Sequence, residues 1–304
     1  MKLVRIAIMT GLAGITLVAV VFWLVTTPRP RFDRNDQSLE GGNAERGQLV
    51  FAAGDCGSCH ASPGQSDRYR LGGGMALASP YGLFRIPNIS PDERDGIGLW
   101  SAADIANAVL SGVSPKGQHY YPAFPYPSFA RMDVADVKDL AAFLKTLPKV
   151  SGRAPPHDLS LVFKLRRTLG LWKSLYLHQD AIVRDVTKGD AWNRGRYLAD
   201  SIAHCAECHS TRNLLGAIKP SEAYAGGLDP EGVGYIPNIT PAAIGDWTVA
   251  QITEILNTGV TPTHGPVGSS MADVVTNTAM MPQSDREAIA IYIKSLPARP
   301  TPKP

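Results

Sequence analysis

An all-α fold, with two helical halves in tandem behind a single membrane-spanning helix, is what this sequence predicts. Three observations predict it. The chain opens on a long uncharged apolar stretch. All four cysteines fall in two copies of one five-residue pattern, Cys-x-x-Cys-His, at 56–60 and 205–209. The residues around those copies also repeat in the same order, which marks an internal duplication.

The bulk composition sets limits. The 304 residues leave room for two domains of roughly 100–150 residues. With 44% hydrophobic and 19% charged residues the balance is globular, which excludes wholesale disorder. A net charge of +3 with no long basic run gives no support to a nucleic-acid partner. Twenty-nine Gly and 24 Pro point to short helices joined by long, shaped loops.

The stretch from Ile6 to Thr27 carries no charge and follows Lys2 and Arg5. At about 1.5 Å per residue it reaches roughly 33 Å, enough for a bilayer core of ~30 Å. A cleaved leader has an apolar region of only about 7–15 residues and a small-x-small cleavage site. This run is longer and ends in Val25-Thr26-Thr27-Pro28, so the expectation is a retained anchor over 1–28 and a linker over 29–41. Arg29, Arg31 and Arg34 offset Lys2 and Arg5, so charge alone leaves the orientation open.

Cys-x-x-Cys-His is the attachment pattern of c-type haem. Two thiols at this spacing can add across the two vinyl groups on one porphyrin edge, and the next residue delivers an imidazole to the iron. The expected attachment residues are Cys56, Cys59 and His60, then Cys205, Cys208 and His209, for two covalently bound haem c. A zinc site would want its Cys pairs close in sequence. A redox dithiol or a disulfide gives no role to a His in the same place twice. Because holocytochrome c is matured outside the cytoplasmic membrane, the haem domains are expected in the periplasm, on a single-pass protein of the bacterial inner membrane.

The repeat continues on both sides. Arg46-Gly47 pairs with Arg194-Gly195, each opening a short helix that leads to the cysteines. Downstream, Ile86-Pro87-Asn88-Ile89-Ser90-Pro91 pairs with Ile236-Pro237-Asn238-Ile239-Thr240-Pro241. Trp100-Ser101 and Trp247-Thr248 then start helices, with Ser101/Asp104 and Thr248/Gln251 as N-cap and N3 partners and Gly112 and Gly259 as the stops. Each half closes on an amphipathic helix, Val134 to Leu147 and Asp285 to Leu296. These signals give domains at 42–150 and 191–304, joined by a helical linker at 151–190. Pro87 and Pro237 are placed to offer a carbonyl to the Nδ1–H of the two motif histidines.

The linker turns helical around Leu159 to Leu177 and carries Lys164, Arg166, Arg167 and Lys173. It reads as a brace whose apolar face packs on both domains, with a basic amphipathic helix on a membrane or partner as the alternative. His119, His157, His178 and His264 read as loop or surface residues, and His204 as a neighbour of the haem edge.

A sixth iron ligand is harder to place. Met opposite His raises the potential. Met1 and Met9 belong to the anchor, and Met75 in a glycine loop reads as packing, which leaves Met132 in the first half. The second half offers Met271, Met280 and Met281. Distance from the motif histidine favours Met281, which stands as far past His209 as Met132 does past His60. A Met beside a helix start is more often packing than ligand.

The chain resembles the cytochrome c subunits of membrane-bound periplasmic alcohol, gluconate and aldehyde dehydrogenases. The likeness covers nearly everything after residue 40. It rests on the Ile-Pro-Asn-Ile motifs, Gly-Ile-Gly-Leu-Trp-Ser (96–101), Tyr-Pro-Ala-Phe-Pro-Tyr (121–126) and Gly-Ser-Ser-Met-Ala-Asp-Val-Val (268–275). It implies two class I cytochrome c-like domains, and it implies Met271 as the ligand of the second iron. The family often carries Met where Phe124 stands, so Met132 inherits the first site. Well-known members carry three haems, and this chain has motifs for two.

The resemblance implies a non-catalytic electron-transfer subunit, a relay from a dehydrogenase of flavin, quinoprotein or molybdenum type to a quinone, a soluble cytochrome or an oxidase. The alternative is a dihaem enzyme, peroxidase-like or thiosulfate-oxidising, with one iron left open.

Overall fold

A computed structural model describes residues 2–229 and 234–303. Thirteen α-helices run through these residues, with a few very short strands between them. Helix α1 (Lys2–Val25) is exposed at its described positions, meets Arg167 of the linker at Trp23, and is long and apolar enough to cross a membrane. Met1, the first residue of the expected anchor, lies outside the described residues.

The first half contains α2 (Ala44–Ala53), α3 (Cys56–His60), α4 (Ala102–Ser111), α5 (Tyr126–Phe129) and α6 (Val134–Thr146). The linker holds α7 (Leu169–Tyr176). The second half contains α8 (Asp190–Tyr197), α9 (Cys205–Cys208), α10 (Pro241–Ile244), α11 (Val249–Thr258), α12 (Ser270–Thr278) and α13 (Gln283–Lys294). A hairpin of β1 (Ala76–Ser79) and β2 (Gly82–Arg85) interrupts the first half, and β3 (Asp158–Leu159) pairs with β2 through Leu159 opposite Gly82.

The expected caps form as full capping boxes. Asp104 N donates to Ser101 Oγ at 3.1 Å while Ser101 N donates back to Asp104 Oδ2 at 3.0 Å. Thr248 and Gln251 repeat the exchange at 3.2 and 2.8 Å. Gly112 (φ 57°) and Gly259 (φ 76°) end α4 and α11 in the left-handed conformation that glycine adopts most easily.

In each half the first and last helices cross at a glycine. A Cβ on Gly47 would lie 1.9 Å from the Asp139 carbonyl oxygen of α6, and one on Gly195 would lie 1.9 Å from the Ala288 carbonyl oxygen of α13. Only a residue without a side chain lets these backbones approach so closely. Arginines beside the glycines latch the same crossings, Arg46 to Asp139 at 2.6 Å and Arg194 to Asp285 at 2.7 Å.

The halves share one continuous hydrophobic core, with Phe51, Leu110 and Val137 from the first and Leu198, Ile202 and Ile289 from the second. The second half carries one extra residue between its crossing glycine and its first cysteine, ten steps from Gly195 to Cys205 against nine from Gly47 to Cys56. A π-helical turn at Leu198–Ile202 absorbs it.

Two expectations are corrected. The linker braces both halves, but its apolar packing is confined to Leu159 and Leu169 against Phe84 and Tyr121 of the first half. Its small and polar residues Gly170 and Lys173 are buried, while Leu161, Leu165, Leu171 and Leu175 are exposed. Burial wins for Lys173 because its Nζ donates to the Ser111 and Gly112 carbonyls, at 2.6 and 2.7 Å, at the C-terminus of α4. His119, expected at the surface, is buried, and its Nε2 hydrogen-bonds the Thr26 carbonyl at 3.0 Å.

Candidate haem centres

Both cysteine motifs begin where the chain turns sharply. Asp55 (φ 54°) and His204 (φ 38°), immediately before Cys56 and Cys205, sit in the left-handed region. Each kink starts a helical turn, α3 or α9, that carries the Cys pair to the motif histidine. Burial pushes the Cys56 and Cys205 thiols up to about 12.

The two motif histidines are oriented in the same way. His60 Nδ1 lies 2.9 Å from the Pro87 carbonyl oxygen, and His209 Nδ1 lies 2.8 Å from that of Pro237. The backbone carbonyl accepts, so Nδ1 carries the proton and Nε2 is the nitrogen left to bind a metal. Burial lowers the pKa of both rings, that of His60 to about 4, so both stay neutral at neutral pH. These contacts are the ones the repeated Ile-Pro motif predicts.

The asparagine after each proline holds the carbonyl in place. Asn88 Nδ2 donates to Val150 O at 2.6 Å and Gly152 O at 2.9 Å, while its Oδ1 accepts from Ser90 N at 2.8 Å. Asn238 Nδ2 donates to Arg299 O at 2.8 Å, and its Oδ1 accepts from Thr240 N at 2.8 Å. The sequence motif does not reveal this role. Its only signal is the Asn in the same place twice.

The methionines divide. Met132 and Met281 are both buried in the shared core, each just before the closing helix of its half. Met271 lies in the first turn of α12 and is half-buried, as is Met75. Phe124 meets Tyr120, Tyr126 and Phe129 edge-on at 5.8–6.2 Å, so its place is filled by aromatic contact.

The two motif segments lie against each other. His204 Nε2 is 3.4 Å from the Gly54 carbonyl, and the His204 ring meets Phe129 edge-on at 5.3 Å. Asn277 of α12 donates to Ser58 Oγ at 2.9 Å and also to Asp55, reaching into the first motif from the second half. Ser128 Oγ donates to Glu207 Oε1 at 2.7 Å from the other side. Asp55, Asn277 and Glu207 are invisible to sequence reading because each acts across the interface.

The donor set fits a covalently held iron porphyrin. Each half presents two thiols and an imidazole with a free Nε2. Among the described residues, Arg85 and Arg68 each bury an Nε that has no hydrogen-bond partner, near Pro87 and Gly57 respectively. Such donors suit the carboxylates of a haem. Arg85 also lines a cavity of about 860 Å³, in which basic residues, Arg34, Arg153 and Arg166 among them, outnumber Glu93 and Asp95.

Comparison with known proteins agrees. The Cytochrome c family profile matches residues 44–148. A dihaem cytochrome c-type protein of Cereibacter sphaeroides is 45% identical over 295 residues, covering 94% of this chain and 97% of that one. The fructose dehydrogenase cytochrome subunit of Gluconobacter japonicus is 37% identical over 260 residues, 84% of this chain and 52% of its own. The cytochrome c subunit of a quinone-type alcohol dehydrogenase from Gluconobacter oxydans is 32% identical over 270 residues, 84% of this chain and 55% of its own. The chain thus spans about half the length of these last two relatives but nearly all of the first. With that likeness from end to end, and with its imidazole and thiol geometry, the chain belongs to the cytochrome c family.

Proposed function

We propose that this protein is a membrane-anchored dihaem cytochrome that relays electrons from a periplasmic dehydrogenase to the respiratory chain. Each half acts as a class I cytochrome c-like domain, with Cys56, Cys59 and His60 holding one haem c and Cys205, Cys208 and His209 the other. The observation that carries the reading is the pair of imidazoles, each fixed by a proline carbonyl beside its own Cys pair, on two motif segments that touch. Bound haem c supplies one-electron chemistry at its iron. The chain's own part is to fix the tautomer of His60 and His209, to exclude water through the shared core, and to keep the two attachment segments in contact so that a transfer between them is short.

Dehydrogenase cytochrome subunits among the relatives support a dehydrogenase as donor, and the quinone in the name of the G. oxydans relative supports a quinone as one acceptor. Retention of α1 is supported by the residues at its C-terminal end. Thr26 is fully buried and its carbonyl is bonded to His119, so cutting there would remove part of the fold. Met132 and Met271 serve as sixth ligands on this reading. The buried setting of Met132 favours one alternative, a dihaem enzyme whose first iron keeps an open position.

A haemochrome assay and intact mass of the denatured protein should give two haems per chain. The oxidised spectrum should be wholly low-spin, and the partner dehydrogenase with its substrate should reduce both haems. One haem per chain defeats the dihaem assignment, and a resident high-spin haem that binds peroxide favours the enzyme.

A further inference from the structure

The leucines of the linker are not scattered. Leu161 (80% exposed), Leu165 (64%) and Leu175 (64%) project outward together with Leu171 from a segment whose other side is fastened to the end of α1. On that other side, Gly170 packs on the Thr26 backbone so tightly that a Cβ would lie 2.5 Å from Thr26 Cα. Arg167 stacks on Trp23 at 3.7 Å and donates to the Trp23 carbonyl and the Thr27 hydroxyl, each at 2.8 Å.

The second half brings further exposed leucines against the same linker. Leu214 is 97% exposed and Leu215 is 56% exposed, at the tip of a turn just after the second cysteine motif. That turn is tied to the linker, because Trp172 Nε1 donates to Leu215 O at 2.8 Å and Asn213 Nδ2 donates to Tyr176 Oη at 3.2 Å. Tyr81 of the first half donates to Leu214 O at 3.3 Å.

We infer that these six leucines form a lipid-contacting face that seats both halves on the bilayer surface where α1 leaves it. The inference rests on the proposed anchoring by α1. Continuity with the end of that helix argues for lipid as the occupant. A residue bonded to Trp23 and Thr27 is held at the depth where an apolar span meets headgroups, the level that Trp favours. The composition fits as well, since the exposed Lys164 stands between Leu161 and Leu165, where a cation suits anionic headgroups. The face, with the fastened end of α1, gives the haem domains one orientation on the membrane.

The test uses the full-length holoprotein in vesicles of phosphatidylethanolamine and phosphatidylglycerol, at less than one protein per vesicle and with no other protein present. Single cysteines replace Leu165, Leu214, Leu12 in α1 and, as a water-exposed reference, Val186. Each is then modified with a water-soluble maleimide on both faces of the membrane. Thiolate is suppressed in lipid, so Leu165→Cys and Leu214→Cys should react at least about tenfold more slowly than Val186→Cys. If those two react like Val186→Cys while Leu12→Cys is protected, the seat is wrong and the anchor stands. If Leu12→Cys also reacts freely, the anchor reading fails and the seat falls with it. Protection that appears only after a dehydrogenase is added would overturn lipid in favour of a protein partner.

Discussion

Methionine identity divides the residues whose chemistry the sequence names from those it does not. On the proposed ligation, Met271→Ala should turn the second haem high-spin, remove its weak near-infrared sulfur-to-iron band and lower its potential, because thioether sulfur favours ferrous iron. Met281→Ala should leave the spectrum alone and cost packing of about 2–5 kcal/mol, since Met281 is buried in the core. Met132→Ala should produce the high-spin change at the first haem. A spectral change on Met281→Ala instead would show that equal spacing from the motif histidines is the better guide. The cysteines and histidines are legible in the sequence because covalent attachment fixes their spacing within five residues. A sixth ligand would come from a segment distant in sequence, where nothing local sets the spacing. The crossing glycines are a clearer case of backbone logic. Gly47→Ala and Gly195→Ala each force a methyl group against a carbonyl of the facing helix and should cost about 1–3 kcal/mol in denaturant melts, with haem content retained.

At the level of elements, capped helices are readable to within a residue or two, because Ser101, Thr248, Gly112 and Gly259 bond within their own turns. The linker defeats that kind of reading because its amphipathicity is inverted, and only tertiary contacts show which face is covered. Lys173 gives that inversion a pH signature. Burial lowers its pKa from 10.5 to about 7. Between those values the unfolded chain holds a proton that the folded chain has released, so this group makes stability rise with pH above about 7 and leaves it flat below. Urea midpoints across that range should show the rise in the native protein and lose it in Lys173→Met. The segment after α1 has the composition of a loose linker over 29–41, yet it is laced to α4. Asn107 Oδ1 accepts from Arg31 N at 2.7 Å and Phe32 N at 2.9 Å, and Leu39 is buried. A chain starting at Pro28 should therefore keep both haems, at the cost of the Thr26 contacts to His119 and Arg167. One starting at Asn43 should lose on the order of 2–5 kcal/mol, measured by thermal unfolding against the longer form.

Over the whole molecule the duplication is legible but the joining of its halves is not, because a repeat describes each unit and says nothing about how the two meet. The halves meet through a common core and through buried polar contacts at the motifs. They should accordingly unfold together, with one transition seen by far-ultraviolet dichroism and by both haems. Asn277→Ala removes a donor to Asp55 and Ser58 and should cost about 1–3 kcal/mol, lowering that shared midpoint. Two separate transitions in the native protein would mean that the contact surface does not couple the halves. The π-helical turn at Leu198–Ile202 bears on how such a pair of halves can diverge. An inserted residue in an α-helix would ordinarily rotate everything beyond it by about 100°, sending the cysteines away from their crevice. Widening a single turn instead lets the helix keep its heading while its numbering slips by one. The surplus residue is thus hidden in hydrogen-bond pitch, and Asp200, lying within that turn, accepts from Tyr224 and Tyr292 at 2.5 and 2.8 Å. Deleting Ala199 should erase the wide turn and leave those two hydroxyls without their shared acceptor, so a change of length that looks like a return to symmetry would be the more damaging edit.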